Sequence, residues 1–349
     1  MAGRFEPRAQ RLTRTTVRAG DTRVPGTRAA GPTTARTGAP AGTRTDAPAG
    51  TRTWTPTTPF DLGLVVGPLR RGPADPTFRV TNGHVWRATR TPEGPATLRI
   101  AAKTTGIEAE AWGPGHDWLL DWLPQLLGDA DDHTVFTPRH RLVAEVHRRR
   151  PGLRLLRTGL VMESLIPSVL EQKVTTDEAY RAWRILVRKY GEQAPGPDGM
   201  PDLHVMPDPG TWRMIPSWDW HRAGVDNKRA QTILRAVRVA PRLEEAMALD
   251  PEQARKRLEL VPGIGPWTSA ETIQRSHGAP DEVTVGDLHL PGIIGYALAG
   301  ERDADDARML ELLEPYRGQR HRAARYILLT GRTPPRRTPK MPKTDIGKL

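Results

Sequence analysis

Between residues 78 and 100, apolar and polar positions trade places almost every residue. The runs are Phe78-Arg79-Val80, His84-Val85-Trp86-Arg87-Ala88 and Ala96-Thr97-Leu98-Arg99-Ile100. A two-residue period predicts strands with one buried face. Asn82-Gly83 and Pro92-Glu93-Gly94 stand between them as turn signals. The stretch Trp118–Leu127 then reads as a helix ending near Gly128. Residues 58–135 are therefore expected to form a small antiparallel sheet backed by one or two helices.

From about 136 to 330 the period lengthens to that of helices. Thr176 is the expected N-cap of a helix that opens with Asp177 and Glu178. This helix keeps Ala179, Trp183, Leu186, Val187 and Tyr190 on one side and stops at Gly191. Further helices are predicted over 226–240, 251–260, 266–276, 287–299, 304–313 and 318–330. The fold class is α+β, a sheet domain followed by a helical domain of two subdomains.

Charge changes this picture only at the ends. The formal net charge is +12. Residues 1–57 hold ten arginines against Glu6, Asp21 and Asp46. Residues 331–349 hold six basic residues against Asp345, so residues 58–330 are neutral. The first segment is rich in Ala, Arg, Thr, Gly and Pro, and it repeats APAGTRT at 39–45 and 47–53. Both ends are expected to be basic tails, the first disordered. A polyanion bound by the neutral body must be held by local geometry. The chain has no cysteine, which excludes thiolate chemistry, Cys-ligated zinc and iron–sulfur clusters. No apolar run approaches the roughly 20 residues of a membrane span. A cytoplasmic, nucleoid-associated monomer without cofactor or membrane contact is expected.

The stretch Leu260-Val261-Pro262-Gly263-Ile264-Gly265-Pro266-Trp267-Thr268 places two glycines in the turn between two predicted helices. Such a turn aims successive N–H groups into one concavity, and the helix opening at Pro266 adds its own first-turn donors. Pro262, Gly263, Ile264 and Gly265, with the hydroxyls of Thr268 and Ser269, are candidates to hold one phosphate. Beyond it lies Val285-Gly286-Asp287-Leu288-His289, with Asp287 set 22 residues after Gly265.

This pair of motifs resembles the helix-hairpin-helix–GPD superfamily of DNA glycosylases. Without cysteines, the chain is most similar to its alkylation-repair branch, the 3-methyladenine DNA glycosylase II family. The resemblance implies a sheet domain like half of a TATA-binding protein and a duplex with a damaged base as partner. It also implies base flipping, with Asp287 stabilising positive charge on the sugar and orienting water. The nucleophilic lysine of the bifunctional members is replaced by Trp267, so no lyase activity is expected. Gln172 and Lys173 occupy the wedge position, and Trp267, Glu271 and Leu288 the base pocket. Val261 and Ile264 are placed to offer carbonyls to a monovalent cation. Arg148, Arg149, Lys228 and Arg229 are further candidates for the DNA face, and His289 for a second polar group. Two alternatives stay open: another damaged base as substrate, or a hairpin protein that only clamps DNA.

Overall fold

The computed structural model describes residues 47–335. The first APAGTRT copy and the terminal basic segment from 336 lie outside the described residues. Five antiparallel strands form one sheet: β1 (Gly50–Trp54), β2 (Phe78–Thr81), β3 (His84–Thr91), β4 (Gly94–Lys103) and β5 (Gly106–Trp112). Their order is β1-β5-β4-β3-β2, so the first strand in the chain adds to the far edge. Two residues separate each strand from the next between β2 and β5, and tight hairpins join them, as Asn82-Gly83 and Glu93-Gly94 predict.

One strand falls where a tail was expected. β1 is made by the second repeat copy and pairs with β5 from Gly50↔Ala111 to Trp54↔Ile107. Pairing of an edge strand uses backbone groups, so low apolar content does not forbid it. Alternation decides its facing. Thr51 and Thr53 are exposed, Arg52 donates to the Leu120 carbonyl at 2.7 Å, and Trp54 packs edge-on against Phe60.

The helices are α1 (Leu62–Val66), α2 (His116–Leu126), α3 (Arg141–Arg149), α4 (Val161–Leu170), α5 (Thr176–Tyr190), α6 (Pro209–Met214) and α7 (Ser217–Arg222). There follow α8 (Asn227–Arg238), α9 (Ala240–Glu244), α10 (Pro251–Glu259), α11 (Pro266–Ser276), α12 (Leu290–Ala299), α13 (Asp306–Leu313) and α14 (Arg320–Leu328). The cap of α5 is Thr175, one residue before the expected Thr176. Thr175 and Glu178 close a reciprocal capping box. The helix predicted from 287 starts at Leu290.

Among the described residues, three large apolar cores and a smaller cluster around Trp86 and Trp112 organise these elements. Leu119, Leu120, Leu123 and Leu126 of α2 cover the sheet over Leu98, Ile100 and Ile107. A second core surrounds α4, whose every residue but Glu163 is buried, with α5, α8, α10 and α11 around it. A third joins α3, α12, α13 and α14. Arg322 of α14 is fully buried and pairs with Asp131 from the loop after α2, which locks the third core to the sheet unit. The Asp131 carboxylate also accepts the Leu155 N–H at 2.8 Å.

Candidate active site

The turn between α10 and α11 uses its two glycines differently. Gly263 has φ +102, and a Cβ there would meet Thr232 Oγ1 at 2.1 Å. Gly263 is thus required by backbone conformation and by packing. Gly265 is extended, and a Cβ would meet nothing within 4 Å. No contact inside the protein explains it, so the space it leaves is open to something outside. Two side chains hold the turn from behind: Gln172 donates to the Gly263 carbonyl at 3.0 Å, and Arg235 to the Pro262 carbonyl at 3.2 Å.

The two hydroxyls expected to face a ligand are turned inward. Thr268 is buried, and its Oγ1 accepts Gln172 Nε2 at 2.8 Å. Ser269 is buried and donates to Glu259 at 2.7 Å. An anion at this corner would meet backbone N–H groups, because the small polar side chains are spent on fixing the turn.

Asp287 lies 20 residues along from Trp267, and the two side chains meet. Trp267 Nε1 donates to Asp287 Oδ2 at 3.0 Å. Asp287 Oδ1 accepts the N–H groups of His289 and Leu290, both at 2.8 Å, and so caps the start of α12. Three hydrogen bonds fix the carboxylate while leaving it half-exposed and one of its lone-pair positions free. Gly286 precedes it with φ +85, a conformation closed to proline. Val285-Gly286-Asp287 stands in place of the Gly-Pro-Asp of the GPD superfamily it resembles, and this backbone conformation accounts for Gly286 at the proline position.

Beside Asp287 opens a cavity of about 240 Å³. The second core supplies Glu271, Gln274 and Arg275 from α11; the third supplies Ile293, His321 and Arg325 from α12 and α14; Asp287 and His289 stand in the loop between them. Glu271 pairs with Arg275 at 2.7 Å and accepts Thr284 Oγ1 at 3.0 Å. Burial between Arg275 and Arg322 pushes the Arg325 guanidinium down to about 10. Burial, with these same arginines and Arg325 nearby, holds His321 well below the usual imidazole value.

No family model matches the chain. It is 28% identical over 172 residues to DNA-3-methyladenine glycosylase 2 of Escherichia coli, which covers 48% of this chain and 58% of that protein. It is 30% identical over 146 residues to the probable bifunctional transcriptional activator/DNA repair enzyme AlkA of Mycobacterium tuberculosis, covering 41% of this chain and 28% of that one. The chain thus spans less than two thirds of either relative. Among solved structures, the 3-methyladenine DNA glycosylase of Archaeoglobus fulgidus superposes with a TM-score of 0.63 at 17% identity, over 80% of this chain and 98% of that one. The Clostridium acetobutylicum 8-oxoguanine glycosylase/lyase bound to duplex DNA gives 0.62 at 13% identity, over 78% and 91%. The fold is the one these two solved structures share.

Within that glycosylase fold the other expected residues divide sharply. Glu271 lines the cavity; Trp267 does not, and its indole N–H steadies Asp287 instead. Leu288 is 84% exposed and is not part of the cavity lining. Lys173 is exposed at the tip of the loop before α5, with φ +55, while Gln172 beside it is tied to the hairpin. Arg229 is not on an open face. It is buried against Asp226 and the carbonyls of Leu170 and Gly224. Lys228 and Arg148 are exposed, and Arg149 pairs with Glu145. The Val261 carbonyl accepts the Ile264 N–H at 3.0 Å and keeps a second lone pair, compatible with a monovalent cation at Val261 and Ile264. Arg325, His321, Arg275 and Glu282 were not anticipated from sequence. The one available signal was the four-residue step from His321 to Arg325, which puts both on the side of α14 that carries Ala324 and Leu328.

Proposed function

We propose that this chain is a monofunctional DNA glycosylase that hydrolyses the N-glycosidic bond of a damaged base. The supporting observation is the meeting of Asp287 with the cavity wall at the end of the glycine turn. The turn would grip a phosphate through backbone N–H groups, with Lys173 filling the gap that a flipped base leaves. The target base would enter the cavity and set C1′ against Asp287. As the C1′–N bond breaks, the electron pair leaves with the base and positive charge grows on the sugar. The carboxylate stabilises that charge. Water attacks C1′ and gives up its proton by way of Asp287, to solvent when a cationic base has left neutral and to the base when a neutral one has left as an anion. Trp267 stands where an amine nucleophile would be needed for a Schiff base, so strand cleavage is not expected.

The named curated relatives support alkylated purines such as 3-methyladenine as substrates. The lining of the cavity supports a different lesion, because among the described residues it contains no Phe, Tyr or Trp to stack on a cationic ring. The activity itself is tested with duplexes carrying methylated, deaminated or oxidised bases, wild type beside Asp287→Asn. Release of at least one base, lost in the variant while duplex affinity holds, is expected. Affinity without release from any duplex would leave a DNA clamp.

A further inference from the structure

Arg325 is a cation without a counter-ion. Its Nη2 donates to the Leu64 carbonyl at 3.0 Å, and no carboxylate pairs with it among the described residues. It nevertheless borders the cavity. One turn earlier on α14, His321 is 8% exposed, borders the same cavity, and its ring makes no hydrogen bond to protein among the described residues. The other charged groups nearby are engaged. Arg275 is held by Glu271, and Glu282 faces Arg255 at 3.7 Å. The donors left to a ligand are therefore those of Arg325 and the ring N–H groups of His321 and His289.

We infer that the cavity selects an uncharged base bearing a ring carbonyl, the kind made by deamination or oxidation, and that Arg325 donates to that carbonyl oxygen. This rests on the glycosylase reading. The chemistry of departure favours it. An alkylated cationic base leaves as a neutral molecule and draws nothing from a guanidinium. A neutral base leaves with the bonding pair of electrons, so negative charge spreads from the ring nitrogen to the carbonyl oxygen. A fixed guanidinium beside that oxygen stabilises the charge as it forms. A half-buried cation without a carboxylate partner is costly in the empty protein, and an arriving acceptor relieves that cost.

The test uses the full chain and duplexes with a single hypoxanthine or a single 8-oxoguanine, beside dimethyl-sulfate-treated DNA. Wild type is expected to release one of the two carbonyl bases with kcat/KM roughly tenfold or more above that for methylated purines. Arg325→Met is expected to lower kcat on that duplex by roughly tenfold, more than it changes KM, and to lower release from methylated DNA by less. Arg325→Lys should recover part of the loss. Faster release of methylated purines by the wild type, or equal losses on both substrates in Arg325→Met, overturns the inference and leaves the glycosylase reading standing. No release from any duplex overturns both. The wild-type ranking needs no variant, so a poorly folding substitution does not shelter the idea.

Discussion

The glycine turn and the cavity sit at opposite ends of one carboxylate and are built in opposite ways. The turn is local. Nearly all of it lies within residues 260–269, and it offers backbone groups that any nucleic acid phosphate would meet alike. The cavity is assembled from Pro68, Leu155, α11, the loop before α12, and α14, and it offers side chains. On the proposed function, the first would grip a strand without regard to sequence, and the second would choose what is removed from it. A fold divided in this way could keep such a grip unchanged while its choice of base drifts.

That contrast can be broken at its most expensive point. Asp131→Ala strips Arg322 of its carboxylate inside the protein and is expected to cost about 3–5 kcal/mol of stability. Denaturant unfolding would measure it. A loss below about 1 kcal/mol would show that α14, and the cavity wall it carries, does not depend on the sheet unit. The glycines sharpen the contrast further. Gly263→Ala should destabilise the fold by about 1–3 kcal/mol, since it strains the backbone and strikes Thr232. Gly265→Leu should leave the melting temperature unchanged and weaken duplex binding by roughly tenfold, because its side chain enters the space a phosphate would use. If Gly265→Leu binds duplex normally in a titration, the turn is not the grip.

The smallest effect is on the cavity side and depends on pH. His321, together with the half-buried His277 and His147, is held below the ordinary imidazole value by desolvation. Each takes up its proton at lower pH in the folded protein than in the unfolded chain, where protonation sets in below about pH 6.5. Unfolding then binds protons, so stability is present in full above that pH and falls as the medium is acidified through it. Melting curves from pH 7.5 to 5 should show a steady decline, and His321→Asn should make it shallower. An unchanged slope would place the His321 ring in solvent.

The parts of the molecule that were legible in the sequence are those with short-range causes. The alternation at 78–100 gives β2 to β4, and helical spacing gives α5, α8, α10 and α11 to within a few residues. The glycine string and Asp287 could be paired through the resemblance that the two motifs carry together. What escaped has long-range causes. β1 forms because β5 offers it an edge, which nothing in Gly50–Trp54 announces. Trp267 was expected among stacking rings, yet the position of Asp287 turns its indole to a different task. Thr268 and Ser269 look like phosphate ligands until Gln172, nearly a hundred residues earlier, and Glu259 are seen to claim them. Arg325 and His321 belong to a site only because two cores pack beside each other.

Asp287 begins a helix as well as facing the cavity. A protein of this fold that carried out no chemistry would still need an acceptor at this place to start α12, and would lose stability by discarding it. Aspartate at this position in a distant sequence therefore testifies to a helix start, and the residues across the cavity must be read before it is counted as an enzyme.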